Sequence, residues 1–226
     1  MILDKICMTS ITKLFLILFS LLLWAHQVSA LTMTAEETVR ESTQEVLDRL
    51  HTDRDKLESN PKYIQVIVEE LIVPHFDFVT MSHLVLGKHW HEISESRQIC
   101  FIHGFKNLLV RRYADIFLGY DDKIIAYQPT EPAEEEGVVI VKQTITKPGE
   151  EAFFIEYPVR SGEYGWKVID LVVEGISLLK SYHGTFQSEI NKQGLQAFIH
   201  GFQECDDQSI KYDSQSMVID TVLDFL

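Results

Sequence analysis

Apolar residues recur at helical spacing through the first half of the chain and at strand spacing through the next quarter. Thr34 with Glu37 three residues on forms a capping box, and Ala35, Val39, Val46, Leu47 and Leu50 follow on one helical stripe. Asn60-Pro61 predicts a cap and a first-turn proline for a helix carrying Tyr63, Ile64, Ile67, Val68, Leu71 and Ile72, which Pro74 stops. Asp77 is placed to cap a short helix from Phe78 to Leu86, closed by Gly87. A longer helix starts at Ser94 and presents Phe101, Phe105, Leu108, Leu109, Tyr113, Ile116 and Phe117, with Gly119 at its end.

The period then falls to two. Residues 123–128, 137–146, 151–160 and 164–173 are rich in Val, Ile, Thr and aromatics, and their separators carry Pro, Gly or acids. Connections this short join antiparallel neighbours, so about four strands form a curved meander. Ser177 opens a further helix through Leu178, Leu179, Tyr182, Phe186 and Ile190; Gly194 breaks it, and Leu195 to Phe202 adds a last turn or two. The fold class is therefore α+β, with N-terminal helices, an antiparallel sheet and C-terminal helices. Val138 to Val141, and Val168 with Ile169 and Leu171 to Val173, are apolar at both parities, whereas a sheet with one wet face alternates. Either helices cover both faces, or helices cover one and the concave face lines an apolar cavity.

Composition changes the picture at the N-terminus. Lys5 and Lys13 precede an apolar stretch from Leu14 to Ala25, then Val28-Ser29-Ala30, the pattern of a secretory signal peptide cleaved after Ala30. The apolar stretch is shorter than the roughly 20 residues of a spanning helix. Loss of Lys5, Lys13 and Asp4 with this leader takes the net charge from −14 to −15. Such a charge disfavours nucleic acid and adsorption to anionic bilayers. Cys7 leaves with the leader; Cys100 and Cys205 are free to bridge, or Cys100 serves as a small buried hydrophobe.

Candidate chemistry is sparse. His75, His83, His89, His91 and His103 lie close in sequence, but HExxH is absent, no acid or Cys stands at ligand spacing, and Trp90 with its flanking histidines reads as an exposed loop; no metal site is assigned. There is no G-x-S-x-G, P-loop or G-x-G-x-x-G. Asp170, in the apolar run KVIDLVV, is the one acid set where burial would raise its pKa towards general-base use, the arrangement an NTF2-like enzyme would need. No catalytic residue and no cofactor is assigned.

The order Pro74-x-x-Asp77, Leu86-Gly87-Lys88-His89-Trp90, Phe101-x-x-x-Phe105-x-x-Leu108-Leu109-x-x-x-Tyr113, Gly165-Trp166-Lys167-Val168-Ile169-Asp170, Val173-Glu174-Gly175-Ile176-Ser177 and Tyr182-x-x-x-Phe186 resembles the MlaC (toluene-tolerance, Ttg2) family of periplasmic phospholipid-binding proteins, from about Asn60 to Gln203. The resemblance implies a soluble periplasmic carrier with bound phospholipid as cargo. It would pass lipid between an outer-membrane lipoprotein associated with porin and an inner-membrane ABC transporter complex containing an MCE-domain protein, and so maintain outer-membrane lipid asymmetry. It also implies a cone related to the NTF2-like and cystatin-like folds that encloses the acyl tails, with residues 31–204 as the lipid-binding domain. A branch of the family is associated with hopanoids, which leaves the lipid open. The inward apolar residues expected to line the tails are Phe105, Leu109, Tyr113, Val139, Val141, Tyr157, Val168, Val173, Ile176, Leu179 and Phe186, with Tyr182 and His183 at the headgroup or mouth. The family usually has Asn-Tyr-Arg where this chain has Ser181-Tyr182-His183. Residues 205–226 form an acidic extension with an apolar cluster that matches no motif of the resemblance. An envelope interaction module without lipid is the remaining alternative.

Overall fold

The computed structural model describes residues 33–202 apart from 120–122 and 150. The expected leader and the extension at 205–226 lie outside them. Helix α1 (Ala35–Thr52) starts at the capping box: Glu37 N–H donates to Thr34 Oγ1 at 3.2 Å and Thr34 N–H to Glu37 Oε2 at 2.7 Å. Those bonds hold the Glu37 carboxyl below its usual range. At the other end Asp53 accepts from Lys56, Arg49 and Tyr63 at 2.8, 2.5 and 3.1 Å, which lowers its pKa to about 2.

Helix α2 (Arg54–Ser59) buries nothing, and α3 (Tyr63–Leu71) begins after a turn in which Asn60 C=O accepts from Tyr63 N–H. The side-chain cap expected of Asn60 is not made; the helix starts at Tyr63 with Lys62 as cap residue. Pro74 falls in a 3₁₀ turn, Val73–His75, and Asp77 caps α4 (Phe78–Leu86) by accepting from Thr80 N–H at 2.8 Å and Thr80 Oγ1 at 2.6 Å. Gly87, at φ +56°, ends α4 and lies so close to His183 that a Cβ there would sit 3.1 Å from its Cε1. The stretch Gly87–Glu92 is a 3₁₀ helix and not an exposed loop: Trp90 is buried and its carbonyl accepts from buried Gln98 Nε2 at 2.9 Å. Helix α5 (Glu95–Tyr113) runs into a 3₁₀ segment, Ala114–Gly119. Cys100 on α5 is disulfide-bonded, and Cys205 lies outside the described residues.

The sheet is antiparallel, curved and unclosed. Strands β1 (Ile124–Pro132), β2 (Val138–Thr146) and β3 (Phe153–Gly162) form the meander. Strand β1 runs through Pro129 and Pro132, beyond the expected 123–128, because an edge strand loses no ladder bond to proline. The expected fourth strand divides. β4 (Gly165–Val168) pairs with the end of β3, the chain leaves the ladder at Ile169–Leu171, and β5 (Val172–Val173) rejoins β3 at Ile155. A two-residue turn follows, with Glu174 at φ +49° and Gly175 at φ +76°, leading to β6 (Ile176–Ser177). Positive φ at both central residues is what the twist of a tight hairpin requires. Glu174 Oε1 fastens this hairpin by accepting from Phe154 N–H at 2.6 Å.

Helix α6 (Leu178–Gln193), capped by Ser177, and α7 (Leu195–His200) complete the described chain. Two buried layers result. One is all-helical: Phe101, Phe105, Phe186, Phe198 and Phe202 meet ring to ring at 4.7–6.3 Å among Met81, Val85 and Leu86 of α4. The other sets Ala35 and Val39 of α1 against Val141, Val159 and Val168 on the inward face of the sheet. The outward row of β1, Ile124, Ala126 and Gln128, is exposed. Helices thus cover the inner face, and the outer one is open at that edge.

Candidate functional site: an apolar cavity between helices and sheet

Between α1, the Ile72–Phe76 segment, the end of α5 and the inward face of the sheet lies a cavity of about 490 Å³. That is within the size range of small-molecule pockets, roughly 300–1,000 Å³. It is closed at the bottom by Val39, Met81, Val110 and Val168, all buried, and opens where Ile116, Phe153 and Ile176 are 52%, 39% and 66% exposed. Three exposed apolar side chains around one opening make a rim that favours hydrocarbon over water.

Of the residues expected to line the tails, the structure brings Leu109, Tyr113, Tyr157, Val168, Val173 and Ile176 together on this wall. The others lie elsewhere. Phe105, Leu179 and Phe186 belong to the helical core, because the inward stripe of α6 meets α5 and not the sheet. Val141 is fully buried beneath α1, with Val139 packed at the margin of the same cluster. Tyr182 and His183 are not on the wall. Tyr182 stacks edge-on with Phe105 and tilts against Phe186, its hydroxyl 3.5 Å from that of Tyr113, and burial with this contact pushes its phenol up. His183 Nδ1–H donates to the Val85 carbonyl at 3.0 Å, holding α6 to α4.

Asp170 is not on the wall either. Its carboxylate accepts from Leu171 N–H, Leu179 N–H and Ser177 Oγ at 2.7, 3.0 and 2.5 Å. It therefore joins the break in the fourth strand to the start of α6, and its oxygens are engaged by structural donors. Among the described residues no three His, Cys, Asp or Glu side chains converge as a metal would need. His83 and His91 do meet edge to face at 5.5 Å, beside Trp90.

Several wall residues were not among those expected to line the tails: Ser42 and Thr43 on α1, His75 in the 3₁₀ turn, and Gln143 on β2. Two carried a signal. Ser42 interrupts the apolar stripe of α1 between Val39 and Val46, and Gln143 stands at the inward parity between Val141 and Ile145. Small or polar residues at core positions mark where a space is kept.

His75 is a titratable group on this wall. Burial lowers its pKa below 6.5, the nearby Lys167 ammonium lowers it further, and Glu45 and Glu41 oppose both. Lys167 is tied by Nζ to the Pro74 carbonyl at 2.6 Å, and burial lowers its pKa as well. The folded protein thus keeps His75 neutral where an unfolded chain would take up a proton. Stability, and with it an uncharged wall, is lost as pH falls from 6.5 through the lowered value. An apolar occupant of this cavity is expected to be held above pH 6.5 and released as the pH falls below it, with a flatter profile in His75→Gln; co-purified apolar material counted at each pH checks this.

The sequence profile of the MlaC protein matches residues 40–217, further at both ends than the motif-bearing stretch of about 60–203. The chain is 25% identical over 191 residues to the intermembrane phospholipid transport system binding protein MlaC of Haemophilus influenzae, covering 80% of this chain and 88% of that one. It is 22% identical over 162 residues to the toluene tolerance protein ttg2D of Pseudomonas putida, covering 71% and 75%. Among solved structures it is similar to the phospholipid-binding protein of Ralstonia solanacearum, solved in complex with a phospholipid, at a TM-score of 0.67 and 29% identity over 75% of this chain and 97% of that one. With the profile spanning well over half of its length, this chain belongs to the MlaC family.

Proposed function

We propose that the protein is a phospholipid carrier of the periplasm, taking the acyl tails of one lipid into the cavity beneath the Ile116–Phe153–Ile176 rim and leaving the headgroup in water. The observation that carries this is the cavity itself, apolar at its base and open at one end. Its relatives in Haemophilus influenzae and Ralstonia solanacearum, a phospholipid transport binding protein and a phospholipid-binding protein, support it. Among the described residues no helix is long and apolar enough to cross a membrane.

Energetics favour exchange over capture. Burying two tails from water, roughly 30 methylenes at about 0.8 kcal/mol each, exceeds the tightest non-covalent affinities. Water is therefore the wrong reference state. Lipid arriving from a membrane protein moves between apolar surroundings at little cost, and small packing differences decide whether it stays. The partners we propose are an outer-membrane lipoprotein associated with porin and an inner-membrane MCE-domain ABC transporter complex, between which the carrier would serve outer-membrane asymmetry. The net charge of −14 suits recognition by basic patches on such partners over adsorption to anionic bilayers.

Mass spectrometry of a solvent extract of the purified protein tests the reading. Phospholipid near one molecule per chain is the expected result; an extract without lipid, from protein that also takes none from vesicles, overturns it.

A further inference from the structure

Gln143 occupies the inward row of β2, is 2% exposed, and yet lies on the cavity wall. Its amide spans three strands: Nε2 donates to Tyr127 Oη of β1 at 2.8 Å, and Oε1 accepts from Tyr157 Oη of β3 at 2.8 Å. A primary amide carries two N–H donors, and Tyr127 takes one. Among the described residues no acceptor meets the second. Exchanging the amide oxygen and nitrogen leaves the same count, since one tyrosine then takes one N–H and the other N–H is again spare. In an empty cavity water can serve this donor. Acyl chains expel that water, and a buried donor left unmatched is costly.

The depth of Gln143 says what could meet it. Strand register sets Phe153 opposite Ile145, and Gln143 opposite Ile155, which in turn faces Val173. Gln143 is therefore one inward step along the sheet from the exposed Phe153 at the rim, about 7 Å at roughly 3.4 Å per residue. In a glycerophospholipid with its phosphate at the rim, the ester carbonyls lie a few bonds further in and are the last strong acceptors before pure hydrocarbon.

We infer that Gln143 selects the cargo, its spare N–H binding an ester carbonyl of a diacyl glycerophospholipid. This rests on the carrier reading above and adds a substrate preference to it: ester-linked lipids over ether-linked ones of equal headgroup and chain length. Tyr127 and Tyr157 are positioning residues that hold the amide in place.

The test loads the purified full chain from vesicles containing equal amounts of diester and diether phosphatidylethanolamine of matched chain length, and counts each bound lipid by mass spectrometry. The parent is expected to enrich the diester about tenfold, a difference of about 1.4 kcal/mol. Gln143→Met, which keeps the side-chain length and removes the donors, is expected to bind the two lipids at a ratio near one. A parent that loads both lipids equally overturns this inference alone, whatever the variants do, as does equal enrichment by parent and Gln143→Met. A parent that loads neither overturns the carrier reading and this inference together.

Discussion

Val173→Asp is expected to lower phospholipid loading at least a hundredfold while the chain remains folded. Val173 sits on β5, half-buried, paired with Ile155 on one side and Ile176 on the other, and its side chain faces the cavity. In the empty protein a carboxylate here reaches water through the opening beside Ile176. With tails in place it is sealed against hydrocarbon without a partner, and an unpaired buried charge costs several kcal/mol. About 2.8 kcal/mol already gives the hundredfold loss. Lipid phosphorus per mole of protein, read beside a thermal melt, measures both halves of the expectation; parent-level loading would remove Val173 from the tail site. Val141 would make a poor substitute for this test. It is fully buried between α1 and the sheet, so a charge there would unfold the chain before it reported on cargo.

The second large effect is on stability. Phe105→Ala removes a fully buried ring that stacks on Phe101 at 5.8 Å and meets Tyr182 and Phe186 edge-on at 5.5 and 5.7 Å. Truncating such a ring costs about 3–5 kcal/mol. For a chain of this size that lowers the melting temperature by roughly 10 °C. The fraction that stays folded is expected to carry as much lipid as the parent, since Phe105 is not on the cavity wall. An unchanged melt with lipid lost would reverse the assignment and make Phe105 a tail contact.

These two residues show where sequence reading succeeds and where it stops. The capping box at Thr34, the stop at Gly87 and the cap at Asp77 all follow from local chemistry, because each is settled within a few residues. The excess of apolar positions on β2, from Val138 to Val141, was legible for the same reason, as was the family resemblance. The break at Ile169–Leu171 was not. Those residues keep the apolar character of a strand, and they leave the ladder because Asp170 is held by Leu179 N–H and Ser177 Oγ from the start of α6. Trp90 was misplaced on the surface because its cover, Gln98 and the aromatic core, arrives from another helix.

The chain by itself determined the kinds of surface it would make: a helical half with broad apolar stripes, a sheet more apolar than one wet face needs, and no local motif for catalysis. Periodicity fixes which side chains share a face, since backbone geometry sets that spacing. What meets the face depends on how distant elements pack. Tertiary structure alone decided that the inward face of α6 would be filled by phenylalanines, that Val141 would lie under α1, and that space would remain between Ser42, His75 and Gln143. A cavity is a place where side chains from several elements fail to meet, and no single stretch of sequence records that failure.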